Sequence, residues 1–227
     1  MSGIRLWNGD IGDLEVDAIV VPATPTLWMT AGAAAAVKQR GGHGIEFEAV
    51  SLGPQRPGGA VATGAGTLPC RYVIHAVSLV VDRRTSAEAI DAATRSAMRL
   101  ADGMGLREVA FPAMGSPVGD VTLEACAAVM LRAIRETLPG CTSVQDVVLA
   151  LRGARTYEVF QAELERQREP DAVPVVPGAY AGLVGVMDPG AVRQGGAEPD
   201  AAAPEPARRD PWSPAPAPGA HRPEHRP

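Results

Sequence analysis

A three-layer α/β/α domain on a mixed, largely parallel sheet, followed by a flexible Pro-rich tail, is the fold class this sequence predicts. Three observations carry it. Short apolar runs alternate with segments of helical spacing, the order expected when parallel strands are joined by crossover helices. One run, Ala18-Ile19-Val20-Val21, is apolar at every position, as a strand covered on both faces must be. Composition then changes: 13 of the 21 prolines fall after Gln167, with repeated Ala-Pro, Gly-Gly and Arg-Pro pairs. An ordered domain is therefore expected over 1–167 and a flexible tail over 168–227.

Taken in order, Ile4 to Trp7 alternates and reads as an edge or near-edge strand ending at Asn8-Gly9-Asp10. Ala18 to Val21 is the central strand, stopped by Pro22. The loop Ala23 to Gly32 is long and apolar for a mere connector. The Ala-rich stretch Ala33 to Arg40 has high helix propensity and is closed by Gly41-Gly42. A second helix is expected over Ile45 to Ser51, with Phe47 and Val50 spaced for one face. Strands follow at Gly59 to Gly66 and, more strongly, Tyr72 to Val77, with Pro69 marking the turn. Thr85 or Ser86 caps a helix running to about Met104, with Glu88 in its first turn and Ile90, Ala93, Ala97 and Leu100 at helical spacing.

Glu108 to Asp120 is a short apolar run and then a Gly/Ser-rich turn, which opens into a helix from Thr122 to about Thr137. Leu123, Ala127, Met130, Leu131 and Ile134 mark the inward face of that helix. Val144 to Leu151 is a last strand. Thr156 to Arg166 is a last helix, packed through Val159, Phe160 and Leu164. Tyr157 and Phe160 are helix-spaced and read as core, and His75 reads as a satisfied core histidine inside its strand rather than a base. The tail offers a Pro- and Gly-broken apolar segment, Ala172 to Met187, and Asp210-Pro211-Trp212 as a weak peptide motif.

The net charge of −5 is spread along the chain without a Lys/Arg cluster, which argues against a nucleic-acid partner. Cys70, Cys126 and Cys141 are odd in number and lack metal-ligand spacing, so buried thiols in a reducing cytoplasm are expected, with no metal and no cofactor. No run reaches the ~20 apolar residues of a membrane span, and residues 1–7 carry no apolar signal core, so no membrane partner is expected.

In a parallel sheet, ligands sit outside the carboxyl ends of the strands. The loops after Asp10, Val21, Phe111 and Leu151 all lie at such ends and should converge on one cleft. Successive N–H groups of a small-residue loop leading into a helix can hold a phosphate without net positive charge.

These loops together resemble the macrodomain family over nearly all of residues 3–165. The carrying residues are Gly9-Asp10-Ile11, Val16 to Val20, Leu27 to Gly32, Gly59 to Gly66, Leu68 to His75, and Ala110 to Ser116. The resemblance implies binding of ADP-ribose or a derivative, free or carried on an ADP-ribosylated protein. It makes Asp10, beside Ile11, the adenine-reading acid, since a carboxylate accepts from an exocyclic amine; the residue alone also reads as the cap of a turn. Thr30, Ala31, Gly32 and Ala33 match the loop against the diphosphate and distal ribose. Gly115, Ser116, Pro117, Val118 and Gly119 match the second phosphate loop.

The departures are specific. Where family members that hydrolyse ADP-ribose esters carry Asn-Ala-Ala-Asn, this chain has Val21-Pro22-Ala23-Thr24, and a threonine hydroxyl cannot reproduce the donor and acceptor of an amide. Pro117 removes one N–H from the second loop and Thr30 replaces a glycine in the first. Asp120 also stands where relatives have glycine, near the aspartate of a branch of hydrolases that pairs it with a lysine; the chain's only lysine is Lys38. Asp120 and Thr24 are therefore the catalytic candidates, with a helix-capping role as the other reading of Asp120. Arg152 occupies the place of a base-stacking aromatic, where a guanidinium can also stack. A hydrolase of ADP-ribose linkages and a diverged protein-interaction module are the alternatives to a binding domain.

Overall fold

The computed structural model describes residues 3–79, 84–115 and 121–168. Six strands form one sheet: β1 (Gly3–Trp7), β2 (Ala18–Pro22), β3 (Ala60–Gly64), β4 (Tyr72–Ala76), β5 (Glu108–Pro112) and β6 (Asp146–Ala150). Their order is β1-β6-β5-β2-β4-β3, parallel throughout except for β3, which pairs antiparallel with β4 at one edge. β2 lies between β5 and β4, in register with β4 from Ala18 opposite Tyr72 to Pro22 opposite Ala76. The apolar run sits at the centre because both of its faces are covered. β1 is the other edge, as its alternation predicts.

Among the described residues, five helices cover the sheet: α1 (Gly32–Gly41), α2 (Gly44–Ser51), α3 (Ala87–Gly103), α4 (Leu123–Thr137) and α5 (Ala154–Arg168). Side chains alternating along the strands fill two cores. Val20, Ile74, Phe111 and Leu149 pack with α3, α4 and α5 through Ile90, Ala97, Met130 and Phe160. Ile19, Val21, Val73 and Val148 face the α1 and α2 side with Val37 and Ile45. Ser86 and Thr122 cap α3 and α4 by accepting the N–H of Ala89 and Ala125. Among the described residues, no helix is long and apolar enough to cross a membrane.

α2 forms as expected, but the face it buries is one that the sequence did not single out. Its buried positions are Ile45, Glu46 and Ala49, while Phe47 is 67% exposed. Phe47 and Val50 do share a face, but Glu46 has two donors waiting for it inside, so the helix turns a charged residue inward and an aromatic one out. The thiols are also less uniform than expected: all three are free, but only Cys126 is fully buried, Cys70 and Cys141 being half-buried.

The opposite end of the sheet explains part of the sequence motif. Asp17 Oδ2 accepts the N–H groups of Arg107 at 2.7 Å and Glu108 at 3.1 Å, while its carbonyl accepts from Arg71 and Tyr72. This aspartate therefore joins the starts of β2, β4 and β5. Burial works to raise its carboxyl, and those two N–H groups with Arg71 outweigh it, holding Asp17 below the usual carboxylate value.

Candidate functional site

At the carboxyl ends of β1, β5 and β6 a cavity of about 310 Å³ opens. Gly9, Asp10 and Ile11 enter it from the turn after β1, and Pro112 with Ala113 from the end of β5. Ala150 and Arg152 come from the end of β6, and Thr156 from the first turn of α5. The opposite wall is α1, through Gly32, Ala33 and Ala36. Small side chains on this wall leave space for a ligand, and no side chain caps the helix at Ala31, so its first N–H groups are available to an anion. Gly32 sits at φ 58, a left-handed backbone that favours glycine, although a Cβ there would meet nothing within 4 Å. Conformation, more than contact, requires glycine at this position.

Three larger hollows, of about 390, 530 and 660 Å³, carry ion-paired side chains in their walls: Arg95 with Glu136 in the first, Asp91, Arg95 and Glu136 in the second, and Arg5, Glu108, Asp17 and Arg71 in the third. None of them lies at the carboxyl ends of the parallel strands with small-residue walls, whereas the 310 Å³ cavity gathers a carboxylate, a guanidinium and a hydroxyl over such walls there.

The cavity thus brings together Asp10, Ile11, Gly32, Ala33 and Arg152 of the expected ligand residues. Asp10 also performs the capping role that its position suggests: Oδ1 accepts the N–H of Gly12 at 2.9 Å at the start of a short 3-10 turn, Ile11–Asp13. Arg40 from α1 reaches the same oxygen at 3.5 Å and pairs with Asp13 through its other nitrogen. Thr24, Thr30, Ala31 and Gly115 are not among the lining residues. Thr24 instead places its hydroxyl 3.1 Å from that of Thr26. Thr30 and Ala31 are exposed on the approach to α1, and Gly115 is half-buried above the Cys126 thiol, where an added Cβ would come within 3.3 Å of the sulfur. Burial pushes that thiol up to about 11, which makes it a packing group rather than a nucleophile. Ser116, Pro117, Val118, Gly119 and Asp120 lie outside the described residues.

Lys38 does not face the cavity. Its Nζ donates to Glu46 Oε1 at 2.9 Å, and the Met29 N–H donates to the same oxygen at 2.7 Å. Burial acts to raise the Glu46 carboxyl, and Lys38 with the Met29 N–H outweighs it, keeping the group below the usual carboxylate value. His75 is fully buried in β4, 3.0 Å from the Thr63 hydroxyl through Nε2, with no partner on Nδ1; burial lowers it from 6.5 to about 4. It is a neutral core residue, as read from its strand, but only one of its two ring nitrogens is satisfied among the described residues.

Sequence reasoning missed Ala36, Thr156, Pro112, Ala113 and Ala150 as lining residues, and Glu46 as the anchor of the loop. A signal existed for one of them: Ala36 stands four residues after Gly32 in α1, one helical turn from a residue already singled out. Glu46 gave none, because its partners are set by tertiary contact.

The Macro domain family model matches residues 20–130. A macro domain-containing protein of Streptomyces coelicolor is 37% identical over 171 residues, covering 72% of this chain and 99% of that one. An uncharacterised protein of Mycobacterium tuberculosis is 38% identical over 165 residues, and there the match spans 73% of this chain but only 45% of the relative's length. Among solved structures, the Trypanosoma brucei macrodomain in complex with ADP-ribose superposes with a TM-score of 0.63 at 23% identity, covering 70% of this chain and 68% of that one. The Oceanobacillus iheyensis macrodomain with ADP gives 0.62 at 22% identity, covering 73% and 91%. A six-stranded sheet of this order with helices on both faces, and a near full-length match to the Streptomyces protein, make this chain a member of the macrodomain family.

Proposed function

We propose that this domain binds ADP-ribose or a derivative of it, free or attached to protein, in the cavity at the carboxyl ends of β1, β5 and β6. The carrying observation is the meeting of Asp10 and Arg152 with the small-residue wall Gly32, Ala33 and Ala36 in one 310 Å³ cleft. Asp10 would accept from the adenine amine and Arg152 would stack on the base. The first N–H groups of α1 would face the diphosphate, together with the loop Gly115 to Gly119. The nucleotide complexes of the Trypanosoma brucei and Oceanobacillus iheyensis macrodomains support this reading through the shared fold. The free thiols fit the reducing compartment, the cytoplasm, in which we place the protein.

Binding without efficient turnover is the form we favour. The chain's one lysine, Lys38, is committed to Glu46, and Thr24 offers one hydroxyl where an amide would present a donor and an acceptor. Calorimetric titration of the full chain with ADP-ribose, with ADP and AMP as controls, tests the proposal. Heat with one ligand per chain, tighter for ADP-ribose than for AMP, is the expected result; no heat at millimolar ligand overturns it and leaves a protein-interaction module. Incubation with mono-ADP-ribosylated protein then separates reader from hydrolase, and release of ADP-ribose that Asp120→Ala abolishes would establish the hydrolase.

A further inference from the structure

The loop from β2 to α1 is held in one shape by a contact outside the cleft. Leu27 is buried and sits at φ 62, a conformation that a leucine keeps only when its surroundings impose it. Its N–H bonds the Thr24 carbonyl at 3.0 Å, and the Pro25 carbonyl accepts from Gln55 at 2.8 Å. Two residues later Met29 N–H meets Glu46 Oε1, and Lys38 Nζ meets the same atom. The Glu46 side chain is 7% exposed, and Lys38 is the only lysine beside 20 arginines. Three residues past Met29 the chain becomes the cleft wall, and Lys38 projects from the same helix whose first turn forms that wall.

We propose that Glu46 and Lys38 are a positioning pair: one carboxylate oxygen, fixed by the ammonium of α1, holds Met29 and so sets how the loop enters α1 and where Gly32 and Ala33 stand. The ligand that this wall meets rests on the ADP-ribose reading; the latch itself does not. A buried carboxylate can serve as an acceptor for Met29 only if its charge is balanced, which is the part Lys38 plays. Removing one partner leaves an uncompensated charge. Replacing both by neutral groups of similar size keeps an acceptor for Met29 and removes the imbalance. This asymmetry separates a positioning pair from a simple surface ion pair.

The test compares the full chain with E46A, K38M and the double variant K38M/E46Q by amide hydrogen exchange, and then by titration with ADP-ribose and AMP. In E46A and K38M the amides of Met29, Thr30 and Ala31 are expected to exchange roughly tenfold faster while those of Ala18 to Val21 keep their protection. In K38M/E46Q the loop amides return to within about threefold of the native rate, because the glutamine oxygen still accepts from Met29. Affinity for ADP-ribose falls about tenfold in the single variants and recovers in the double one, while AMP, which lacks the part facing this wall, changes by less than about threefold. E46Q takes the place of K38M if K38M does not fold, and is expected to fall between the native chain and E46A. Native loop exchange in the single variants, or a double variant worse than K38M, overturns the latch. A native chain without affinity for ADP-ribose overturns the binding reading, and the exchange rates alone then decide the latch.

Discussion

Asp10 serves two ends with one carboxylate. Its Oδ1 closes the turn onto Gly12, and the group faces the cavity where an adenine amine would stand. Asp10→Asn separates these roles, because the amide oxygen still caps the turn while the charge is gone. Thermal stability should stay near native, and affinity for ADP-ribose should fall roughly tenfold, as for the loss of one charge-assisted hydrogen bond. Equal affinity by calorimetry would remove Asp10 from adenine recognition. His75 governs a different property. Its folded value of about 4 lies below the ordinary 6.5, so between those pH values the unfolded chain binds the proton that the folded chain refuses. Stability is therefore full above pH 6.5 and declines as pH falls toward 4, by about 3 kcal/mol for this group. Chemical denaturation at pH 7 and pH 4.5 should show His75→Gln losing less stability over the interval than the native chain does.

Two contacts between elements carry much of the architecture. Gly66, at φ 59, lies so close to α1 that an added Cβ would fall 1.9 Å from the Gly41 carbonyl oxygen, where Thr67 N–H also bonds. Gly66→Ala should lower stability by about 3 kcal/mol in denaturant unfolding, through backbone strain and displacement of the end of α1. Asp17→Ala strands the N–H groups of Arg107 and Glu108 at the start of β5 and should cost about 2 kcal/mol. The elements themselves were legible because local pattern decides them: β2 by its unbroken apolar run, α3 by its Ser86 cap and helical spacing, α1 by alanines ended at Gly41-Gly42. α2 was legible as a helix but not in its orientation. Within eight residues, burial of Glu46 depends on Lys38 and Met29, which only the fold brings near, so the spacing of Phe47 and Val50 could not show that Glu46 is buried and Phe47 exposed. The cleft was legible where loops at strand ends form it, at Asp10, Gly32 and Arg152. It was not legible where α5 turns a side chain toward it, at Thr156, because the helix position is set by packing across the sheet.

For the molecule as a whole, the parallel order β1-β6-β5-β2-β4 places the carboxyl ends of five strands on one side and the Asp17 anchor on the other. Stability and recognition are thereby separated: the cores and Asp17 hold the sheet, while the strand ends are free to carry small residues that leave a cavity. In that division ADP-ribose should find Asp10 at one end of the cleft and the α1 wall beside it. The most direct measurement is an NMR titration of the isotopically labelled full chain with ADP-ribose. The account predicts saturable amide shifts concentrated at Asp10, Ile11, Gly32, Ala33, Arg152 and Thr156, with Asp17, Arg95 and Glu136 unmoved. Shifts centred on another surface, or none at millimolar ligand, would contradict it.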